Sequence, residues 1–401
     1  MSNIRINRVK KEYFSGTHRV KDPIDTLNLI KTLMPEIGVT EVSDITHLDR
    51  LNIPVYSATR PRAARGSVRI NAGKGTIPAH AEVSAMMEAI ERFSSEYRGE
   101  VMDLASYEQI GLTKAVDPAD LILPRELEIG EQLHWLPSRD ILNDEDIYIP
   151  ANAVFHPYDP LGMAQQLFRS DTNGLAAGNV IEEAILHGIF EVIERDALSD
   201  AENRRSLGRK IIVESGPVKE LIDIFEKNGI NVHLWYLNGR TGVPTIAAGA
   251  DDTKTKDPFM LVTGSGTHLN PEIAALRALT EVAQSRASTI KGGKEDPSRR
   301  RIADKAGYER LKRINRMWFK DDAKPVSLTS IADKSTDYID DDIRVTLKEL
   351  ENHCDRVCVC DLSKTQVPVV RVVIPGFEVS YVDHTRKRTK LQSGAHFNTL
   401  N

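Results

Sequence analysis

The sequence predicts a mixed α+β fold in which β-sheet backs a few long helices. Three long stretches carry helical periodicity: Pro78–Tyr97, Ile181 to about Arg204, and Pro271 to about Ile290. Short β-type runs lie among them, at Ile53–Ala58, Ser67–Asn71, Ile147–Phe155, Val232–Leu237, Thr245–Ala250 and Met260–Thr263. Strands and helices intermix without a strict βαβ rhythm, which is why the class is α+β or mixed α/β.

The other elements follow from local signals. Residues 1–22 are basic and polar and read as an arm. A helix over Ile24–Met34 is opened by Asp22-Pro23, a capping carboxylate followed by a proline suited to the first turn. Gly73-Lys74-Gly75 breaks the chain before the first long helix. An amphipathic helix, Val218–Lys227, stops at Gly229. Lys291–Arg301 and Ser330–Asp342 read as solvated loops, and Arg356–Leu362 and Val367–Ile374 as two closing strands before a polar tail.

Composition narrows the function classes. The 401 residues exceed the roughly 100–200 of one ordinary domain, so several subdomains or one large α/β domain is expected. A net charge of −5 argues against broad electrostatic binding of nucleic acid. No apolar run reaches the roughly 20 residues that span a bilayer, and the N-terminus has no signal-type stretch. Three cysteines cannot form a disulfide framework, so a cytoplasmic setting is expected.

The long helices carry unusual polar stripes. On the first, Ser84, Glu88 and Glu91 stand four and three residues apart, on one face, with Arg92 following and apolar Val83, Met87, Ile90 and Phe93 alongside. The second repeats the device with Glu183, Glu191, Glu194 and Arg195 among Ile185, Ile189, Phe190 and Ile193. The third places Arg277, Glu281 and Gln284 among Ala274, Ala278 and Val282. One Glu-x-x-Glu-Arg is ordinarily a solvated face or an ion pair. Two copies and an Arg/Glu pair on apolar helices are not, because buried carboxylates need cations. Six glutamates against three arginines suit magnesium, a hard cation that takes oxygen ligands, and the arginines suit phosphate.

Those residues resemble the YcaO family. Thr172-Asn173-Gly174-Leu-Ala-Ala-Gly178-Asn179 through Glu183 to Glu191, Glu194, Arg195 and Asp196 is similar to its central signature. Ser84-x-x-x-Glu88-x-x-Glu91-Arg92 resembles the first signature, and Gly264-Ser-Gly266-Thr-His268 with Arg277, Glu281, Gln284 and Arg286 the third. The resemblance implies one catalytic domain over 1–401, made of an N-terminal part (1–75), a nucleotide-binding core (76–300) and a C-terminal part (301–401). It implies an enzyme that uses ATP and Mg²⁺ to phosphorylate a peptide amide oxygen, so that a nucleophile can replace it. By position, Glu88, Glu91, Glu183, Glu191, Glu194 and Glu281 would hold metal. Arg19, Thr26, Ser84, Asn179, Glu183, Arg195, Arg277 and Glu281 would contact the nucleotide, and Arg92, Glu191 and Arg195 would act in catalysis. Ala176 stands where some relatives carry serine.

The branch expected is the stand-alone, TfuA-associated one that forms thioamides with sulfide, for example on a glycine of the methyl-coenzyme M reductase α subunit. It is favoured because the C-terminus, Gly394–Asn401, has no Pro-x-Pro-x-Pro tail and the chain has no appended leader-binding domain. The alternatives are an azoline-forming cyclodehydratase, or a non-catalytic ATP-binding factor for ribosomal protein modification. A peptide or protein substrate, a sulfide donor and a homodimer complete the expectation. Cys358 and Cys360 read as buried strand cysteines, with Cys354 nearby; Lys74 is left between phosphate and solvent, and His268 between a functional role and a hydrogen bond at a helix start.

Overall fold

The computed structural model describes residues 4–237, 239–292, 297–320 and 324–387. Its architecture rests on three strand–turn–helix units. Strand Ile70–Lys74 leads into helix Pro78–Ser95, strand Leu175–Ala177 into helix Ile181–Arg204, and strand Val262–Thr267 into helix Pro271–Gly292. Each helix packs on the sheet to which its own strand belongs.

The first sheet runs Glu41–Asp44, Val55–Thr59, Ile70–Lys74, all antiparallel. The second holds Asp103–Ala105, Leu133–Asp140, Cys358–Asp361, Val369–Val373 and Leu175–Ala177 in that order, with Glu145–Pro150 also paired to Leu133–Asp140. The third runs Val262–Thr267, Thr245–Asp252, Ile230–Tyr236, Arg209–Ile212, Pro325–Ser327, antiparallel except for its last pair. Thr245–Asp252 is buried along its whole length, which matches its place under the third helix.

Glycine sets how closely strand and helix approach. A Cβ on Gly73 would lie 2.3 Å from the Ala81 carbonyl oxygen, and one on Gly266 would lie 2.2 Å from that of Ala274. Only a residue without a side chain lets these backbones touch. This corrects the expectation of a chain break at Gly73-Lys74: the strand continues through Lys74, while Ser67–Arg69 lies outside it.

Other boundaries shift for local reasons. The strand expected over Ile147–Phe155 ends at Pro150, and a short 3-10 turn follows at Ala151–Ala153. The expected helix at Ile24–Met34 runs Pro23–Lys31, capped by Asp22, whose carboxylate accepts from the Ile24 N–H at 2.8 Å. Of the loop expected at Lys291–Arg301, residues 293–296 fall outside the described residues, and helix Pro297–Ala306 takes the end. The loop expected at Ser330–Asp342 is not fully solvated. Asp340 and Asp342 are buried at the start of helix Ile339–Leu350 and hold the N-terminal arm through Arg8 and Lys11. The polar tail at 388–401 lies outside the described residues. Among the described residues, no helix is long and apolar enough to cross a membrane.

Candidate functional site

One face of each of the three helices lines a single cavity of about 500 Å³. Arg19, Thr26, Ser84, Glu88, Glu91, Arg92, Asn179, Glu183, Glu191, Glu194, Arg195, Arg277 and Glu281 all line it. The stripes therefore converge, although they lie on separate helices hundreds of residues apart in some cases.

The local wiring explains why the acids tolerate this setting. Close strand–helix packing brings strand N–H groups to helix carboxylates. Glu88 accepts from the Ala72 N–H at 3.1 Å and from Arg92 at 3.1 Å. Glu91 accepts from the Ala177 N–H at 2.9 Å. Glu183 accepts from the Val20 N–H at 2.7 Å and from the Asn179 N–H at 2.8 Å, which ties the N-terminal arm to the second helix. Thr26 donates to Asn179 Oδ1 at 2.7 Å, so the helix at Pro23–Lys31 is fixed to the same point. Glu194 accepts from Ser265 Oγ at 2.7 Å, across to the third unit. Lys74 pairs with Glu281, which joins the first unit to the third. Arg195 Nε stands 3.9 Å from Glu191, a loose pair.

The charge balance differs from the one the sequence suggests. Arg19, Lys21 and Lys74 join the three helix arginines on the wall, so six cations face six glutamates. A wall of formal net zero charge does not by itself demand a metal. A polyanion entering it would, since phosphate charge would then stand among carboxylates.

The electrostatics are uneven within this balance. Burial pushes the Glu91 carboxyl up to about 8, against the pull of Arg92 and the Ala177 N–H. Burial also raises Glu191, against Arg195. For Glu281, burial is outweighed by Lys74, Arg195 and Arg277, which hold it below the usual carboxylate range. Arg195 is raised: burial opposes its charge, but Glu191, Glu194 and Glu281 outweigh it.

Two observations bear on a phosphate and metal ligand. Arg92 Nε and Arg277 Nε are buried donors with no hydrogen-bond partner. Leaving a buried donor unmade costs about 1–3 kcal/mol, so both are suited to an anionic acceptor. Among the described residues, no three His, Cys, Asp or Glu side chains gather into a ready metal cage. Magnesium ordinarily binds through one or two carboxylates together with phosphate oxygens and water, so it does not need such a cage.

Sequence reasoning passed over His187. It lines the cavity four residues from both Glu183 and Glu191, so its place on the stripe was legible from spacing. Burial, Arg277, Arg19 and Lys74 keep its imidazole neutral. His80 and Thr76 also line the wall without having been read. Ala176 is fully buried in its strand and is not on the wall. His268 is buried; its Nδ1 accepts from the Asn270 N–H at 2.9 Å, the helix-start role. Cys358 and Cys360 are buried in a strand, and burial pushes the Cys360 thiol up to about 12.

A family model described as YcaO cyclodehydratase, ATP- and Mg²⁺-binding, matches residues 72–378. This chain belongs to the YcaO family. An uncharacterized protein from Methanothermobacter thermautotrophicus is 46% identical over 378 residues, covering 92% of this chain and 98% of its own. YcaO from Methanopyrus kandleri, solved with AMPPCP and Mg²⁺, is 32% identical at a TM-score of 0.78, covering 94% of this chain and 97% of that one. An uncharacterized protein in the tfuA 3′ region of Rhizobium leguminosarum bv. trifolii is 30% identical, covering 90% and 89%. The mixed helix and sheet arrangement expected from the sequence is that of the YcaO structures.

Proposed function

We propose that this YcaO protein binds ATP with Mg²⁺ in the cavity and uses it to phosphorylate a peptide backbone amide oxygen, with sulfide then installing a thioamide. The observation that carries the reading is the convergence of the three glutamate–arginine stripes on one wall. The YcaO of Methanopyrus kandleri, solved with AMPPCP and Mg²⁺, supports the choice of ligand. Bound nucleotide would supply the γ-phosphoryl group that turns a poor leaving oxygen into phosphate.

The wiring divides the work among this chain's residues. Glu88 and Glu183 already have both oxygens engaged by N–H donors, so they hold strand, arm and helix in register. Glu91, Glu191 and Glu194 each keep an oxygen for a cation. Arg92 and Arg277 offer their unpartnered Nε donors to phosphate, and Arg195 adds a charge held firmly by three carboxylates. Lys74 lies within reach of the same space and shields Glu281. Such preorganised charge is what phosphoryl transfer asks of a protein. Thr26 and Asn179, hydrogen-bonded to each other, line the same pocket. The Rhizobium relative's place beside tfuA supports a TfuA-type partner.

Intact-mass analysis of a candidate peptide incubated with ATP, Mg²⁺, sulfide and the protein tests the reaction. The expected result is a gain of about 16 mass units, the difference between sulfur and oxygen, with stoichiometric phosphate release. Loss of one water from a Cys- or Ser-containing peptide would assign the azoline chemistry instead. Phosphate release indifferent to peptide would overturn both.

A further inference from the structure

One surface stands apart from the cavity and takes no part in the chemistry above. Between residues 297 and 320, nine Lys and Arg accompany two Asp and Glu, a net charge of +7 in a chain whose total is −5. The rest of the chain therefore carries −12. The segment folds as two helices in contact, Pro297–Ala306 and Tyr308–Ile314, turning at Gly307 with φ of 75°.

The inner side of this hairpin is neutralised. Arg300 pairs with Asp257 at 3.0 Å and lies over the Phe259 ring at 4.9 Å. Lys312 pairs with Asp251 at 2.6 Å, and Tyr308 donates to the same carboxylate. These contacts fasten the hairpin to the far end of the third sheet. Lys305, Arg310, Arg313 and Arg316 are exposed and make no ion pair among the described residues. Arg310 and Arg313 stand three apart on the second helix, where like charges repel, and Arg316 follows in the next turn. Helix-end cations gain a little from the backbone dipole, which accounts for Lys305 and Arg313 but not for Arg310 and Arg316. Two large aliphatic side chains lie in the same hairpin, Ile302 at 69% and Ile314 at 65% exposure.

We infer that this hairpin is a docking surface for an acidic protein segment bearing aliphatic side chains, bound at a distance from the cavity. Charge complementarity selects an acidic occupant, and the two isoleucines select one with apolar side chains. A long polynucleotide fits less well. It would run from the patch onto a chain that is otherwise at −12, and the exposed apolar groups in the hairpin are aliphatic, with no ring for bases to stack on. The inference goes beyond the ATP-dependent reading and does not depend on it.

Fluorescence anisotropy on the full chain, without nucleotide, tests it. The probes are a labelled peptide of about 16 Glu and Leu residues, its Glu→Gln counterpart, and a single-stranded RNA of the same length. The acidic peptide should bind, and weaken at least tenfold between about 0.05 and 0.3 M salt. K305E/R310E/R313E/R316E should reduce its affinity at least tenfold. The neutral set K305Q/R310Q/R313Q/R316Q should fall in between, and I302S/I314S should weaken binding severalfold at unchanged charge. A circular dichroism spectrum matching the wild type reports that each variant is folded. Equal affinity for acidic peptide in the wild type and both charge variants would overturn the inference. So would tighter binding of the RNA through the same residues, or equal binding of the Glu→Gln peptide.

Discussion

Glu91 offers a prediction whose size follows from its surroundings. Its carboxyl is pushed up to about 8 by burial, so in the free protein at pH 7 roughly nine molecules in ten carry it protonated. A cation that uses Glu91 as a ligand must first displace that proton. Apparent affinity for the metal–nucleotide complex then falls about tenfold, or about 1.4 kcal/mol, for each pH unit below 8, and levels off above it. From pH 8.5 to pH 6 the loss is on the order of 100-fold. The sign is fixed: acid weakens binding, because the native carboxyl holds its proton more tightly than a solvated one. Isothermal titration with a non-hydrolysable ATP analogue and Mg²⁺, in two buffers of different ionisation enthalpy, counts the protons. About 0.9 proton per site should leave at pH 7. Glu91→Gln should remove that release and flatten the profile, while the analogue's own protonation stays in both proteins and cancels. A pH profile identical in wild type and variant would refute the argument that Glu91 is a buried ligand.

Further predictions touch other parts of the wiring. Arg195→Ala should lower ATP turnover at least 100-fold with the circular dichroism spectrum unchanged, since the guanidinium's charge serves three carboxylates of the cavity wall; turnover at the wild-type rate would remove it from the site. Gly266→Ala should destabilise by about 3 kcal/mol in urea unfolding, because its Cβ would meet the Ala274 oxygen at 2.2 Å; an unchanged midpoint would show that the strand can move away. Asp171→Asn should cost about 3–5 kcal/mol, as Arg371 and Arg386 both pair with it, at 3.0 and 3.1 Å, in buried surroundings; a loss under about 1 kcal/mol would mean that water replaces the pairs.

The helices and their stripes were legible because apolar periodicity and glutamate spacing are both local. Ile181–Arg204 is found where its pattern lies. The cavity wall was legible for the same reason: three helices, each with one polar face among apolar neighbours, leave few ways to bury the rest. What was not legible is long-range. Nothing near Lys74 reveals that it meets Glu281, or that Arg19 stands near Glu183 of one helix and Arg277 of another, so the sequence suggested an excess of acid that the fold removes. Strand Leu133–Asp140 went unread because Pro137 interrupts its alternation; the proline is exposed, where a missing N–H costs little. Asp340 and Asp342 looked solvated because their partners Arg8 and Lys11 lie more than 300 residues away. His187 is the exception, since its spacing of four from both Glu183 and Glu191 is local and places it on the same stripe.

A crystal structure of this chain grown with a non-hydrolysable ATP analogue and Mn²⁺ in place of Mg²⁺ puts the central proposition to direct trial. Anomalous density should appear in the cavity against Glu91 or Glu191, with the phosphates at Arg92 and Arg277. Manganese and analogue bound elsewhere, with those arginine Nε atoms still facing no acceptor, would contradict the whole account.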